Sequence, residues 1–246
     1  MPCGLNCRLH ILYKESCVDY MELKMKDLVD IFELPEREIL KYIKSKALPV
    51  HTINHQNMFN KEEIQEWAIR NNITFSEKLL SLAHSEIPVS ISGLIDKGGI
   101  IYGIRGRNTV ELLTDAVNRM KLPSENNRED VLASLIEREE MMPTGVGRGI
   151  AIPHPRNPII ADVDHESITV CSLASPVQYG AVDGKPVHTL FIILSANAKR
   201  HLEILSKLLF LCQQAEFVEM LSLGTPFKDV MSFIVSAEGK MPVRGR

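Results

Sequence analysis

From Gly98 to Ser236 the sequence alternates short runs that are apolar at almost every position with longer stretches whose apolar residues recur every three or four positions. The short runs, residues 100–104, 150–152, 168–173 and 187–194, have strand length. A strand without a polar face must be covered on both sides of its sheet. The longer stretches supply the cover. Asn108 is placed to cap a helix with Val110, Leu113, Val117 and Met120 as its apolar positions and Leu112 and Ala116 beside them. A second helix at 129–140 would bury Val131, Leu132, Leu135 and Ile136, and helices follow at 200–212, 216–223 and 227–236. Alternation of this kind predicts a layered α/β domain, here a mixed sheet with helices on both sides.

The chain is too long for that domain alone. It has 246 residues, of which 45% are hydrophobic, enough for two cores. Residues 21–73 read as a compact helical unit. Leu28, Ile31 and Phe32 share one helical face, and Leu34-Pro35 breaks the first helix and opens a second. Ile39, Leu40, Tyr42 and Ile43 form the second helix's stripe, which Leu48-Pro49 ends. Two short strands around residues 55–57 then suggest a hairpin. Asn60, with Glu63 three residues on, begins a third helix in a capping-box pattern, burying Ile64, Trp67 and Ala68. Residues 74–91 read as a linker with one helix around 76–82. Residues 1–20 show no period; they are expected to be a tail, with Met21 and Met25 as alternative starts.

Composition narrows the classes. A formal net charge of -3 leaves no polybasic surface over the whole chain, so any nucleic-acid contact must be local. No apolar run reaches the length of a membrane helix. Cys3, Cys7, Cys17, Cys171 and Cys212 have neither zinc-site nor redox-pair spacing and read as reduced thiols of a cytoplasmic protein.

The stretch 144–158, TGVGRGIAIPHPRNP, concentrates the chemistry. Gly145, Gly147 and Gly149 let backbone N–H groups approach an anion closely and predict a phosphate loop. His154 follows the short apolar strand. An imidazole is largely neutral and nucleophilic near pH 7 and can attack phosphorus through one ring nitrogen.

These residues resemble the active-site signature of phosphotransferase-system enzyme IIA domains of the fructose, mannitol and nitrogen-regulatory type. That pattern has an acidic or amide residue, six free positions, an apolar and a small residue, two free positions, then apolar-Ala-apolar-Pro-His. Glu139, Val146, Gly147, Ile150, Ala151, Ile152, Pro153 and His154 meet it. The family has Gly, Ala or Cys after the histidine, where this chain has Pro155. The resemblance covers residues 92–236. It implies that His154 accepts a phosphoryl group from the phosphocarrier protein HPr, with no metal or organic cofactor. It also implies that Arg138, on the helix before the loop, and His201, at the start of a later helix, assist the transfer.

Residues 25–73 resemble the excisionase-like, MerR-related winged helix-turn-helix, through Leu48-Pro49, Met58-Phe59-Asn60 and Glu66-Trp67. The resemblance implies a recognition helix at 35–45 carrying Arg37, Lys41 and Lys44 toward duplex DNA. The helix begins Pro35-Glu36-Arg37-Glu38, however, and residues 21–73 hold eight Lys/Arg against nine Asp/Glu. DNA binding and protein interaction therefore both stay open. Three functions fit the whole: a regulatory phosphocarrier whose His154 state controls the small domain, a transport enzyme IIA passing phosphate to an enzyme IIB cysteine, or a non-enzymatic DNA-binding regulator.

Overall fold

The computed structural model describes residues 23–45, 48–53, 56–60, 63–64, 67–68 and 87–241. The expectations for the tail, for Cys3, Cys7 and Cys17, and for residues 74–86 lie outside the described residues. The chain divides into two compact units, Met1–Leu82 and Ala83–Arg246.

In the first unit, β1 (Leu23–Lys24), β3 (Gln56–Phe59) and β2 (His51–Ile53) form a three-stranded antiparallel sheet in that order. Helices α1 (Met25–Phe32) and α2 (Glu36–Ser45) lie between β1 and β2 in the chain. Glu33, in the left-handed region at φ 53°, ends α1. The Pro35 carbonyl then accepts the Glu38 N–H at 2.8 Å and starts α2. Leu28, Ile31, Phe32, Ile39, Phe59, Ile64, Trp67 and Ala68 make one core, with the Trp67 ring edge-on to Phe32 at 5.9 Å. Leu40, expected in the buried stripe of α2, is exposed instead. A ten-residue helix packed on one side buries a single row, and Ile39 occupies it. Residues 63–64 and 67–68 are helical, and Asn60 Oδ1 accepts the Glu63 N–H at 3.1 Å. The Glu63 carboxylate meets His51 Nε2 at 2.7 Å, tying this helical stretch to β2.

The second unit starts before the sequence pattern suggests. Residues 87–91, read as the end of a linker, are built into it. Val89 and Ile91 are buried. The Val89 N–H donates to Glu203 Oε1 at 3.2 Å, and Arg200 donates to the Ile87 carbonyl at 2.7 Å. Ser90 Oγ accepts the Gly93 N–H at 3.1 Å and caps α3 (Ile91–Gly98). This helix escapes the periodicity because it has only eight residues, with a glycine inside and Gly98-Gly99 at its end. Gly98 is needed there: a Cβ would lie 2.3 Å from the Ile168 carbonyl oxygen.

Five strands follow: β4 (Ile100–Ile104), β5 (Gly145–Gly147), β6 (Ile150–Ala151), β7 (Ser167–Val177) and β8 (Val187–Leu194). Their order in the sheet is β4-β7-β8-β6-β5. β4 runs parallel to β7 and β6 parallel to β8, while β7/β8 and β5/β6 are antiparallel. The sheet is therefore mixed.

Side chains of β8 alternate between two cores, as the two-residue period of a strand requires. Leu190, Ile192 and Leu194 join Leu112, Leu113, Ala116 and Val117 of α4 (Thr109–Arg119) and Val131 and Leu135 of α5 (Arg128–Met141). Phe191 points the other way, its ring 6.1 Å from Phe217 of α7 (Ala215–Ser222). α6 (Ala198–Gln213) and α8 (Phe227–Glu238) complete the set of helices. Val110, expected in the buried stripe of α4, is exposed at 46%; Leu112 and Leu113 take the core face. Each fully buried Leu, Ile or Phe contributes about 1.5–3 kcal/mol, so the two-sided cover of β7 and β8 dominates the unit's stability. Asn108, Asn127 and Asn197 cap α4, α5 and α6 through their side-chain oxygens, each adding about 0.5–2 kcal/mol.

Candidate functional site

Two histidines meet because two parallel strands end side by side. β6 pairs in parallel with β8, and the chain leaves β6 through Ile152 and Pro153 to His154. The Ile193 N–H donates to the Pro153 carbonyl at 2.9 Å, extending that pairing to the edge of the site. β8 leaves through Ser195 to Asn197, which caps α6, and His201 sits on the first turn of that helix. Ligand sites in sheets of this kind lie beyond the carboxyl ends of parallel strands. Here the His154 and His201 rings lie 4.6 Å apart, centroid to centroid, at 45°. Both residues are buried, at 4% and 5% exposure.

The hydrogen bond of His154 to the backbone sets the tautomer of its ring. Nδ1 lies 2.8 Å from the Ile152 carbonyl oxygen. A carbonyl only accepts, so Nδ1 carries the proton and donates it there. In that tautomer the lone pair lies on Nε2. His201 Nδ1 lies 3.4 Å from Ser195 Oγ, a longer contact that holds the second ring beside the first.

Arg138 occupies the last turn of α5 and is also buried. Its guanidinium donates to the Met142 carbonyl at 2.7 Å. Glu139, next to it, places its two carboxylate oxygens 2.6 Å from the Thr144 N–H and 2.6 Å from the Thr144 hydroxyl. Burial raises the Glu139 carboxyl above its ordinary value, against the opposing pull of the Thr144 bonds and of the charges at Arg138 and His154. Tyr179 is buried against the same group, and its hydroxyl makes no well-aligned hydrogen bond. Glu139 and Tyr179 also line a cleft of about 170 Å³ with Thr109, Val110 and Ile136.

The structure places Gly145, Gly147 and Gly149 in an antiparallel hairpin, β5–β6. Gly147, Arg148 and Gly149 take positive φ values of 88°, 54° and 78° to turn it. A Cβ on Gly149 would lie 2.3 Å from the His188 ring, and one on Gly145 would lie 2.7 Å from Ala181 Cα. The Arg148 N–H goes to the Asp183 carboxylate at 2.9 Å, so the anion at this turn is a side chain. The Arg148 guanidinium donates to the Gln213 carbonyl at 2.9 Å, at the C-terminus of α6. It therefore braces the helix that carries His201.

α6 is held at its N-terminal end by residues the sequence pattern does not single out. Arg200 Nε pairs with Glu166 Oε2 at 2.5 Å, both side chains buried. Glu166 Oε1 accepts the Ala196 N–H at 2.9 Å, in the loop between Ser195 and the Asn197 cap. Without partners in view, a lone Glu166 before a strand and an Arg200 beside His201 carry no signal in one sequence.

In the first unit, Arg37, Lys41 and Lys44 are exposed on α2. Glu38 sits between two of them, 2.9 Å from Lys41 Nζ and 3.8 Å from Arg37 Nε. The Lys41 hydrogen bond holds its carboxyl below the ordinary value. Cys171 and Cys212 are buried, and burial pushes both thiols up to about 12. Among the described residues, no group of three His, Cys, Asp or Glu side chains could hold a metal ion, and no helix is long and apolar enough to cross a membrane.

A buried histidine pair at the ends of parallel strands, preceded by this signature, is matched at the level of whole sequences. The profile of the phosphoenolpyruvate-dependent sugar phosphotransferase system, EIIA 2, matches residues 94–237. The chain belongs to that family. Its EIIA domain is similar to a nitrogen regulatory protein of Pseudomonas aeruginosa, 26% identical over 154 residues, covering 61% of this chain and 97% of that protein. It is likewise similar to the mannitol-specific phosphotransferase enzyme IIA component of Geobacillus stearothermophilus, 30% identical over 141 residues, covering 57% of this chain and 94% of that protein. The crystal structure of nitrogen regulatory protein IIA-Ntr from Neisseria meningitidis superposes with a TM-score of 0.52 at 31% identity, covering 58% of this chain and 98% of that one. The EIIA domain is thus a phosphotransfer module that works through histidine. Residues 23–68, with Arg37, Lys41 and Lys44, lie outside the matched span.

Proposed function

We propose that the EIIA domain accepts a phosphoryl group on His154 Nε2 from phospho-HPr. We further propose that the state of His154 governs what the first unit binds. The observation that carries the first part is the bond from His154 Nδ1 to the Ile152 carbonyl, 2.8 Å long. It supports the reading by keeping the proton on Nδ1 and the lone pair on Nε2. In the step proposed, the Nε2 lone pair attacks the phosphorus of the donor phosphohistidine. The donor's N–P bond breaks, and its electron pair returns to the donor ring as the new N–P bond forms. Arg138 and His201 then serve the three phosphoryl oxygens. Charge at such oxygens is best stabilised by preorganised donors in a site closed to water; both residues are buried, and the His201 ring lies 4.6 Å from that of His154.

The second part rests on the presence of an additional folded unit before the family span, which gives the chain an output that a bare phosphate relay lacks. Duplex DNA or a protein is the proposed partner of that unit. The excess of acidic over basic residues in 21–73 and the Glu38 carboxylate between Arg37 and Lys41 make any DNA binding weak, because non-specific affinity depends on phosphate neutralisation. The test uses the full chain, with and without phosphoenolpyruvate, enzyme I and HPr. Labelling that requires HPr, together with a change in DNA or protein retention on phosphorylation, is expected. Labelling without any change in retention would favour transport to an enzyme IIB cysteine.

A further inference from the structure

Glu139 is a buried carboxylate whose two oxygens both accept from Thr144, with the Tyr179 ring buried beside it. Thr144 is not an arbitrary partner. The Thr144 carbonyl accepts the Ile152 N–H at 3.1 Å, and the Ile152 carbonyl accepts the proton on His154 Nδ1 at 2.8 Å. A continuous line of hydrogen bonds therefore runs from the end of α5, across the hairpin, to the nucleophile. The links measure between 2.6 and 3.1 Å, and Glu139, Thr144, Ile152 and His154 are all buried.

We propose that Glu139 is a positioning residue for phosphoryl transfer, fixing the orientation and tautomer of the His154 imidazole through Thr144 and Ile152. The proposal deepens the phosphoacceptor reading and rests on it for its kinetic consequence. The structural cost of keeping the group supports it. A buried carboxylate is expensive unless its oxygens are hydrogen-bonded, and burial here raises its proton affinity. Neither oxygen contributes to a surface or a helix cap; both converge on the start of the hairpin. Glu139 also adjoins Arg138 in the chain, so displacement of the 138–144 segment would move the guanidinium and the nucleophile together. Misplacing a reacting group by about 1 Å can cost on the order of 10²-fold in rate.

The test combines a spectrum and a rate. In the ¹⁵N-labelled, unphosphorylated full chain at neutral pH, long-range ¹H–¹⁵N correlations of the His154 ring are expected to show the Nδ1–H tautomer. Glu139→Ala and Thr144→Val are expected to give a mixture of tautomers. Glu139→Gln should keep the wild-type pattern, because an amide can accept the Thr144 N–H and donate to its hydroxyl. With phosphoenolpyruvate, enzyme I and HPr, Glu139→Ala should lower kcat by about 10- to 100-fold while KM for HPr stays within roughly twofold; Glu139→Gln should recover most of the rate. A wild-type ring spectrum in both Glu139→Ala and Thr144→Val would overturn the proposal, as would equal loss of rate in Glu139→Ala and Glu139→Gln. If Glu139→Ala does not fold, Thr144→Val and Glu139→Gln decide alone. The ring spectrum needs no phosphoryl donor, so failure of HPr to label the wild type would sink the phosphoacceptor reading and leave this test standing.

Discussion

Glu166→Ala removes the carboxylate that holds the N-terminal end of α6. In the native fold Glu166 is fully buried, pairs with Arg200 at 2.5 Å and accepts the Ala196 N–H at 2.9 Å. Taking away one partner of a buried ion pair costs about 3–5 kcal/mol, because the other charge stays behind. The released Ala196 N–H adds about 1 kcal/mol, the low end for an unmade bond, since it is only partly buried. The expected loss is about 4–6 kcal/mol, a large share of the roughly 5–15 kcal/mol that holds a domain together. For a unit of this size it corresponds to a drop in Tm of roughly 10–20 °C. Replacing the pair by apolar residues avoids stranding a charge, so Glu166→Leu with Arg200→Met should recover much of the loss. Thermal melts followed by circular dichroism measure both. Because Arg200 immediately precedes His201, labelling of His154 should also slow in the single variant below its melting range. A single variant within about 3 °C of wild type, or a double variant worse than the single, would refute the reasoning.

Arg138→Ala and His201→Ala should each slow labelling by about 10²- to 10³-fold in folded protein, the usual scale for removing one electrostatic stabiliser; rapid-quench labelling measures it. Gly149→Ala forces a Cβ into the His188 ring at a backbone φ of 78°, and should cost about 1–3 kcal/mol by urea titration. Burial lowers the His188 pKa below its ordinary 6.5. The unfolded chain therefore binds more protons between the two values, and stability should fall as pH drops through that window; His188→Gln should flatten the fall. Retention of random duplex DNA should decline only shallowly with salt, and Glu38→Gln, by freeing Lys41 and Arg37, should steepen the slope.

The strands and long helices of the EIIA domain were legible because their signal is local. A short run apolar at most positions, such as VHTLFIIL, reads as a strand covered on both faces, and Asn108 marks its helix by type and position. The motif singled out His154 and His201, and the fold places their rings 4.6 Å apart. What was not legible depends on distant partners. The eight-residue α3 hides behind its glycines until Ile168 is seen against Gly98. The hairpin at Gly145–Gly147 reads as a loop because glycine patterns do not distinguish an anion nest from close packing on Ala181 and His188. The Glu166–Arg200 pair spans 34 residues and has no periodicity to betray it. Val110 and Leu40 were placed inside because an apolar residue near a stripe looks the same whether it borders the core or faces water.

The central claim is that His154 is the phosphoacceptor, and intact mass tests it most directly. The full chain and its His154→Ala variant would be incubated with phosphoenolpyruvate, enzyme I and HPr and weighed before and after mild acid. One acid-labile phosphoryl group on the wild type and none on the variant is the expected result. Equal labelling of the two proteins would contradict the account, and so would a wild type that gains no mass while HPr itself is fully phosphorylated.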